Sequence, residues 1–163
     1  MDIACRTTAA PVYFPIREKK YIDGGVAINH PAMASVAFAI NRDPDKGLNY
    51  SLNELKVLSL GTGTTNKNRV DPRKIGVGNW GIIKWLKYLP DLMTESNIQT
   101  SEYYIKQVLN TDNKLDKYYM RIQPILKQLI KLDTYTPKAL NHLLKIANQI
   151  PIDPIVNFLE ENV

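Results

Sequence analysis

The sequence predicts an α/β fold, and three segments carry that prediction. Residues LKVLSL (55–60) form a continuous apolar run that ends in the glycine-rich turn GTGT, a pattern typical of a strand buried on both faces in a parallel sheet. Before it, apolar residues recur at helical spacing from Ala32 to Ile40. An earlier short strand is expected to end at Ile22. Strand, helix and strand in this order predict a βαβ unit.

Proline and glycine bound the N-terminal elements. A short helix is expected to end before Pro11, because the residue before a proline is pushed out of the α region. The polar stretch REKKYID then leads into the strand that ends at Ile22. Pro31 suits the first position of the next helix, where its missing N–H costs nothing, and that helix is expected to close at Asn41. The loop NRDPDKGLNYS, rich in turn residues, separates it from LKVLSL.

The second half of the chain is predicted to be mainly helical. WGIIKWLKYLPDLM predicts a helix that stops near Pro90, and a further helix is expected from about Thr94 to Leu109. In KYYMRIQPIL, Tyr118, Met120 and Ile122 alternate with Tyr119, Arg121 and Gln123, which predicts a strand. Thr136 can cap a helix with Pro137 at its first position, and the apolar residues of this helix define its expected core face: Leu140, Leu143, Leu144 and Ala147. The tail DPIVNFLEEN predicts one more short helix.

Composition is that of a globular protein. Of 163 residues, 44% are hydrophobic and 23% are charged, which is enough apolar material for one packed domain. No run approaches the roughly 18 consecutive apolar residues of a membrane span. The N-terminus MDIACRTT has no secretory signal, so a cytoplasmic or peripheral-membrane location is expected. The single cysteine, Cys5, excludes an internal disulfide and is interpreted either as a small buried residue or as a reactive thiol.

The net charge of +5 is concentrated in one stretch. Six basic residues accompany a single acid, Asp71, between positions 67 and 87: Lys67, Arg69, Arg73, Lys74, Lys84 and Lys87. Such a stretch can attract phospholipid head groups or nucleic acid phosphates, or it can be a solvated loop. We expect no nucleic acid partner; if one bound, its affinity would fall steeply with salt.

Apolar and aromatic residues interleave with two of these lysines. The segment contains, beside Lys84 and Lys87, the residues Trp80, Ile82, Ile83, Trp85, Leu86 and Leu89. One interpretation places it at a lipid interface. The other packs it in the core, with the lysine stems reaching out to solvent.

The string YIDGGVAINHP (21–31) presents a carboxylate in a turn. Asp23 follows the predicted strand, and α/β proteins build their sites at the carboxyl ends of strands. Gly24 and Gly25 allow a sharp turn and a close approach of the backbone. Two interpretations stand: Asp23 acts on a ligand, or it bonds to its own backbone in an Asx-type turn.

The remaining motifs indicate no further chemistry. SLGTGT lacks the spacing of nucleotide-binding loops, and a tight loop after a strand explains it. His30 and His142 are expected to cap or pack rather than to catalyse. The chain has no CxxC, HExxH or His/Asp cluster, so we expect neither a metal nor another cofactor. None of its serines lies in a GxSxG elbow, the setting of the nucleophile in α/β hydrolases.

Three strings in this order resemble the second half of a patatin-like phospholipase domain. They are RTTAAPVYF (6–14), YIDGGVAINHP with its D-G-G motif at Asp23–Gly25 and its N-x-P step at Asn29–Pro31, and LSLGTG (58–63). The resemblance implies a partial three-layer α/β/α domain with a mainly parallel sheet. Over residues 1–163 this domain would be single and incomplete, with a motif-bearing α/β part in 1–65 and a basic loop and mainly helical part in 66–163.

The resemblance also implies an activity. The family consists of lipid acyl hydrolases with a Ser–Asp dyad, and by motif position Asp23 carries over as the base, with Gly24 and Gly25 shaping its turn. The oxyanion loop and the serine elbow of the family have no counterpart in this sequence. The chain is therefore expected to be inactive alone and to act on phospholipids or other acyl esters only with a complementing N-terminal half, with peripheral membrane contact. The alternative is an inactive remnant that serves as an interaction module.

Overall fold

The computed structural model describes residues 2–65, 78–110, 113–128, 130 and 133–161, which divide into two compact units. The first unit contains residues 2–49 and 78–108, and the second contains the described residues of 50–65 and 109–161. Helices occur together with short parallel strand pairs, so the predicted α/β class is confirmed. A single incomplete domain over residues 1–163 stays a prediction.

In the first unit, two short helices flank the D-G-G turn and two more follow later in the chain. They are α1 (Asp2–Thr7), α2 (Ala32–Ile40), α3 (Ile82–Leu86) and α4 (Leu89–Leu109), of which α4 runs to the first residue of the second unit. The buried apolar residues here are Ala9, Ala32, Val36 and Ile105. The predicted helix before Pro11 and the predicted helix that closes at Asn41 are both confirmed.

The prediction of a strand that ends at Ile22 is wrong. Arg17 and Tyr21 exchange two backbone hydrogen bonds of 2.9 Å around a turn in which Glu18 and Lys19 have positive φ angles. A backbone that reverses in the left-handed region cannot continue as an extended strand. Residues 2–31 therefore contain no strand, and the predicted βαβ unit does not form in this part of the chain.

The boundary between α3 and α4 also differs from the prediction. Pro90 does not stop a helix but lies in the first turn of α4, where its missing N–H loses no hydrogen bond. As a result α4 begins at Leu89 rather than at about Thr94, and it ends at Leu109 as predicted.

The second unit contains two pairs of parallel strands. β1 (Val57–Leu60) pairs with β3 (Tyr119–Ile122), and β2 (Thr64–Thr65) pairs with β4 (Ile125–Leu126). The strands predicted in LKVLSL and KYYMRIQPIL are confirmed, as is their parallel arrangement. Burial of β1 on both faces is wrong, because Leu60 is 70% exposed.

Three α-helices and a one-turn 3-10 helix, Leu52–Glu54, complete the described part of the second unit. The α-helices are α5 (Leu115–Tyr118), α6 (Pro137–Ala147) and α7 (Asp153–Glu160). Thr136 caps α6 as predicted, since its hydroxyl accepts a hydrogen bond from Ala139 N. The predicted core face of α6 is wrong in part, because Ala139 is buried while Leu140, Leu144 and Ala147 are exposed. The buried apolar residues of this unit also include Leu109, Tyr119, Leu126 and Phe158.

Candidate functional site

Asp23 caps a one-turn 3-10 helix, Gly24–Val26, in the loop between α1 and α2. Its Oδ1 accepts a hydrogen bond of 2.6 Å from Gly25 N, which is the geometry of an Asx-type turn. Its backbone N–H donates to Ala9 O at 3.0 Å and so ties the turn to the residues that follow α1. The side chain is half-buried. The backbone thus fixes one carboxylate oxygen, while Oδ2 has no hydrogen-bond partner among the described residues.

Close contacts, rather than a left-handed backbone, require both glycines of this turn. A Cβ on Gly24 would lie 2.8 Å from Thr7 Oγ1 of α1. A Cβ on Gly25 would lie 2.8 Å from Asn29 Oδ1 and 2.9 Å from Asp23 Oδ1. These distances are shorter than van der Waals contact. The two glycines therefore let the turn pack directly against α1 and against the Asn29 side chain.

Gly25→Ala is expected to lower the free energy of unfolding by about 1–3 kcal/mol, as overpacking does elsewhere. The reason is that Asp23 Oδ1 is held by Gly25 N and cannot move away without breaking that bond. Urea denaturation of the chain measures the change. Gly81→Ala is the control, because a Cβ there meets no atom within 4 Å. Equal losses at the two glycines would contradict the steric explanation.

Asn97 of α4 holds the loop that follows the D-G-G turn. Its Nδ2 donates to Ala27 O at 2.7 Å, and its Oδ1 accepts from Asn29 N at 2.9 Å. One side-chain amide therefore satisfies a backbone acceptor and a backbone donor of the same loop. Sequence reasoning missed this residue, because its partners lie 70 and 68 positions away and nothing in TESNIQTSEYY distinguishes Asn97 from other polar helix residues.

His30 is buried against the same helix. Its Nδ1 lies 2.9 Å from Ser101 Oγ, its Nε2 lies 3.5 Å from Glu102 Oε2, and its side chain is 3% exposed. Ser101 Oγ also donates to His30 O at 2.7 Å, so this one hydroxyl contacts both the backbone carbonyl and the imidazole of His30. The three side chains anchor the loop to α4, in keeping with the packing role expected for His30.

Arg6 of α1 positions the turn that precedes Asp23. Its guanidinium lies 2.9 Å from Glu18 Oε1, contacts Asp2, and sits 4.4 Å from the centroid of the Tyr21 ring. These contacts, with the Ala9 and Thr7 contacts above, bring the strings RTTAAPVYF and YIDGGVAINHP together in one unit. The Asp23 carboxylate therefore lies on a turn that residues of the α1 region hold in place.

This chain is similar in sequence to known proteins over most of its length. Patatin-08 of Solanum tuberosum is 33% identical over 142 residues, which cover 75% of this chain and 36% of the patatin. Patatin-16 of the same species is 29% identical over 176 residues, which cover 94% of this chain and 45% of the patatin. The chain belongs to the patatin-like family. It spans less than half the length of these two relatives. No protein-family model matches the sequence.

The LSLGTG string of this patatin-like chain supplies the last three residues of β1 and the tight loop that follows it, in the second unit. Ser59 Oγ accepts a hydrogen bond of 2.6 Å from Arg121 Nη1 of β3. A Cβ on Gly61 would overlap the Gln123 amide, and Gly63 has a φ of 105°, which side chains disfavour. Both glycines therefore serve the close packing of this loop against β3 and β4, as expected for a tight loop after a strand.

A mainly apolar groove of about 590 Å³ lies in the first unit of the patatin-like chain, between residues 28–34 and α4. Its lining includes Ile28, Met33, Leu92 and Met93, together with the polar residues Asn97 and Ser101. Asp23 does not line it. Volume and lining are in the range of small-molecule sites. The loop that Asn97 holds thus has the D-G-G turn at one end and the groove beside the other.

The structure also bears on the other residues that the sequence analysis considered as sites. Within the described residues, no three His, Cys, Asp or Glu side chains cluster so that they could hold a metal ion. Cys5 is a half-buried free thiol, and His142 lies half-buried on α6. In the same described ranges, no helix is both long and apolar enough to cross a bilayer. Four residues of the basic stretch 67–87 lie outside the described residues: Lys67, Arg69, Arg73 and Lys74.

Proposed function

We propose that this chain is the C-terminal portion of a lipid acyl hydrolase in which Asp23 is the general base of a Ser–Asp dyad. The observation that carries the proposal is the D-G-G turn, where Gly25 N holds one oxygen of the Asp23 carboxylate. A carboxylate fixed through one oxygen can meet a serine hydroxyl with the other at little reorganisation cost. Membership of the patatin-like family supports the reaction class.

The proposed reaction has two steps, and Asp23 moves the proton in both. A serine outside this chain attacks the ester carbonyl while the Asp23 carboxylate takes the serine proton, and oxyanion donors outside this chain stabilise the tetrahedral intermediate. Asp23 then gives that proton to the leaving alcohol as the acyl-enzyme forms. In the second step Asp23 takes a proton from the attacking water and returns it to the serine as the carboxylic acid leaves.

The proposed substrates are phospholipids or other acyl esters. The groove beside residues 28–34 supports this class, because its walls are mainly apolar and its volume suits a small apolar ligand. No step of the proposed mechanism needs a metal or another cofactor.

The chain alone is expected to hydrolyse p-nitrophenyl esters no faster than background, because its sequence contains no GxSxG serine. Co-expression with an N-terminal patatin segment that carries the elbow is expected to restore hydrolysis. The matched control is the same segment with its elbow serine changed to alanine. Robust hydrolysis by the chain alone would show that the nucleophile has been misplaced.

Sequencing of the DNA upstream of the Met1 codon is an independent test. An in-frame or frameshifted sequence that encodes GxSxG would support a split or longer enzyme. Unrelated sequence would count against it.

An inactive interaction module is the second candidate. The exposed apolar side chains of the strands favour it, since Leu60 of β1 and Ile125 of β4 both lie largely in contact with solvent. Failure of the complementation experiment, combined with stable binding of the two segments, would support this candidate over the enzyme.

A further inference from the structure

Residues 80–89, named here the aromatic–lysine segment, expose large aliphatic side chains. Ile82 is 77% exposed, Ile83 is 84% exposed and Leu86 is 59% exposed. The core-packing interpretation of this segment is therefore wrong for its aliphatic residues. Exposed apolar patches of this kind are typical of surfaces that bind a protein, a ligand or a membrane.

The aromatic rings of the segment pack on one another. The Trp80 ring lies 5.2 Å from the Trp85 ring and 5.1 Å from the Tyr88 ring, centroid to centroid. Lys84 Nζ lies 4.7 Å from the centroid of Trp80, within cation–π range. The rings thus form a platform that carries a cation, and the aliphatic side chains stay outside it.

Helical spacing gives the segment an aliphatic face with lysines beside and opposite it. Ile82 and Leu86 lie four positions apart, on one face of α3, and Lys84 lies on the opposite face. Lys87, at the C-terminal cap, lies four positions after Ile83 and therefore flanks the aliphatic face. The sequence has no acidic residue between Asp71 and Asp91. An aliphatic face, tryptophans and lysines without acids are the composition of helices that lie in the head-group region of a bilayer.

We propose that the aromatic–lysine segment binds the surface of anionic phospholipid bilayers. In this arrangement Ile82, Ile83 and Leu86 enter the boundary between head groups and acyl chains, and the two lysines contact lipid phosphates. The positive charge selects an anionic surface, because basic residues near a membrane gain energy from the negative surface potential. The inference goes beyond the proposed catalytic role of Asp23 and rests on different residues.

Tryptophan fluorescence reports on this contact directly, since Trp80 and Trp85 are the two tryptophans of the chain. The full chain is mixed with vesicles of phosphatidylcholine alone or of phosphatidylcholine with phosphatidylserine. With the anionic vesicles we expect a blue shift of the emission and co-sedimentation of the chain. Phosphatidylcholine alone is expected to bind far more weakly, and added salt is expected to release the chain.

Variants separate the apolar contribution from the charged one. Leu86→Ser is expected to weaken vesicle binding about tenfold, because a partly inserted leucine side chain is lost. The double variant Lys84→Gln, Lys87→Gln is expected to weaken it about fivefold for each lysine, and both side chains are exposed. Leu159→Ser of α7 is the matched control, a helical leucine that is 56% exposed and followed by two glutamates.

Unchanged emission and no co-sedimentation with the anionic vesicles would overturn the proposal. Equal losses for Leu86→Ser and Leu159→Ser would overturn it too, because binding would then be unspecific. None of these measurements needs turnover. A failure here and a failure of the Asp23 proposal are therefore distinguishable.

Discussion

Asp23→Asn is expected to lower kcat of the complemented enzyme about 10⁴-fold, with KM nearly unchanged. The amide keeps an oxygen that can accept the hydrogen bond from Gly25 N, so the turn is retained. It cannot accept the serine proton, and the base is therefore removed without a change in shape. Initial rates on a p-nitrophenyl ester, measured on the purified complex with the elbow-bearing segment, give both constants.

Asp43→Asn is the matched control for that experiment. Asp43 Oδ1 accepts a hydrogen bond of 3.1 Å from Asp45 N, so this residue also forms an Asx-type contact within the first unit. Its replacement is expected to leave kcat unchanged. Full activity of Asp23→Asn, or an equal loss in both variants, would show that the base is another residue or that the effect comes from the fold.

Asn97→Ala is expected to lower the free energy of unfolding by about 1–3 kcal/mol, since it removes two hydrogen bonds to backbone groups. It is also expected to lower kcat of the complemented enzyme by up to about 100-fold, because a released loop lets the Asp23 turn shift from its position. Urea denaturation measures the first effect on the chain alone, and steady-state kinetics measure the second.

Gln99→Ala on the same helix tests whether the position of Asn97 matters. Gln99 is exposed, and among the described residues its side chain bonds within α4, to Glu95 Oε1 at 3.0 Å, so its loss is expected to change stability by less than about 0.5 kcal/mol. A kcat that falls for Asn97→Ala but not for Gln99→Ala, with KM close to normal and the complex still folded, would assign Asn97 to the positioning of the base. Identical behaviour of the two variants would contradict the anchoring role.

The sequence predicts those elements whose signals are local. Thr136 and Pro137 define the start of α6 because a hydroxyl cap and a proline act within one turn of the helix. The apolar run in LKVLSL identifies β1, since a short β-prone apolar run before a turn favours a strand, but the run does not reveal that Leu60 stays exposed. The same locality explains the error before Asp23, where a tight turn closed by Arg17 and Tyr21 occupies a stretch predicted as a strand.

The candidate site divides in the same way. By itself the sequence determined that Asp23 sits in a D-G-G turn, that the chain resembles a patatin-like half-domain, and that it holds no GxSxG serine. Only the tertiary structure decided what holds the turn in place. Asn97 forms hydrogen bonds with loop residues that lie 68 and 70 positions away in the sequence, and Ser101 forms one with His30, 71 positions away. The physical reason is range. Caps, turns and periodicity act over a few residues, whereas a side-chain amide finds its distant backbone partners only once packing has brought α4 against the loop.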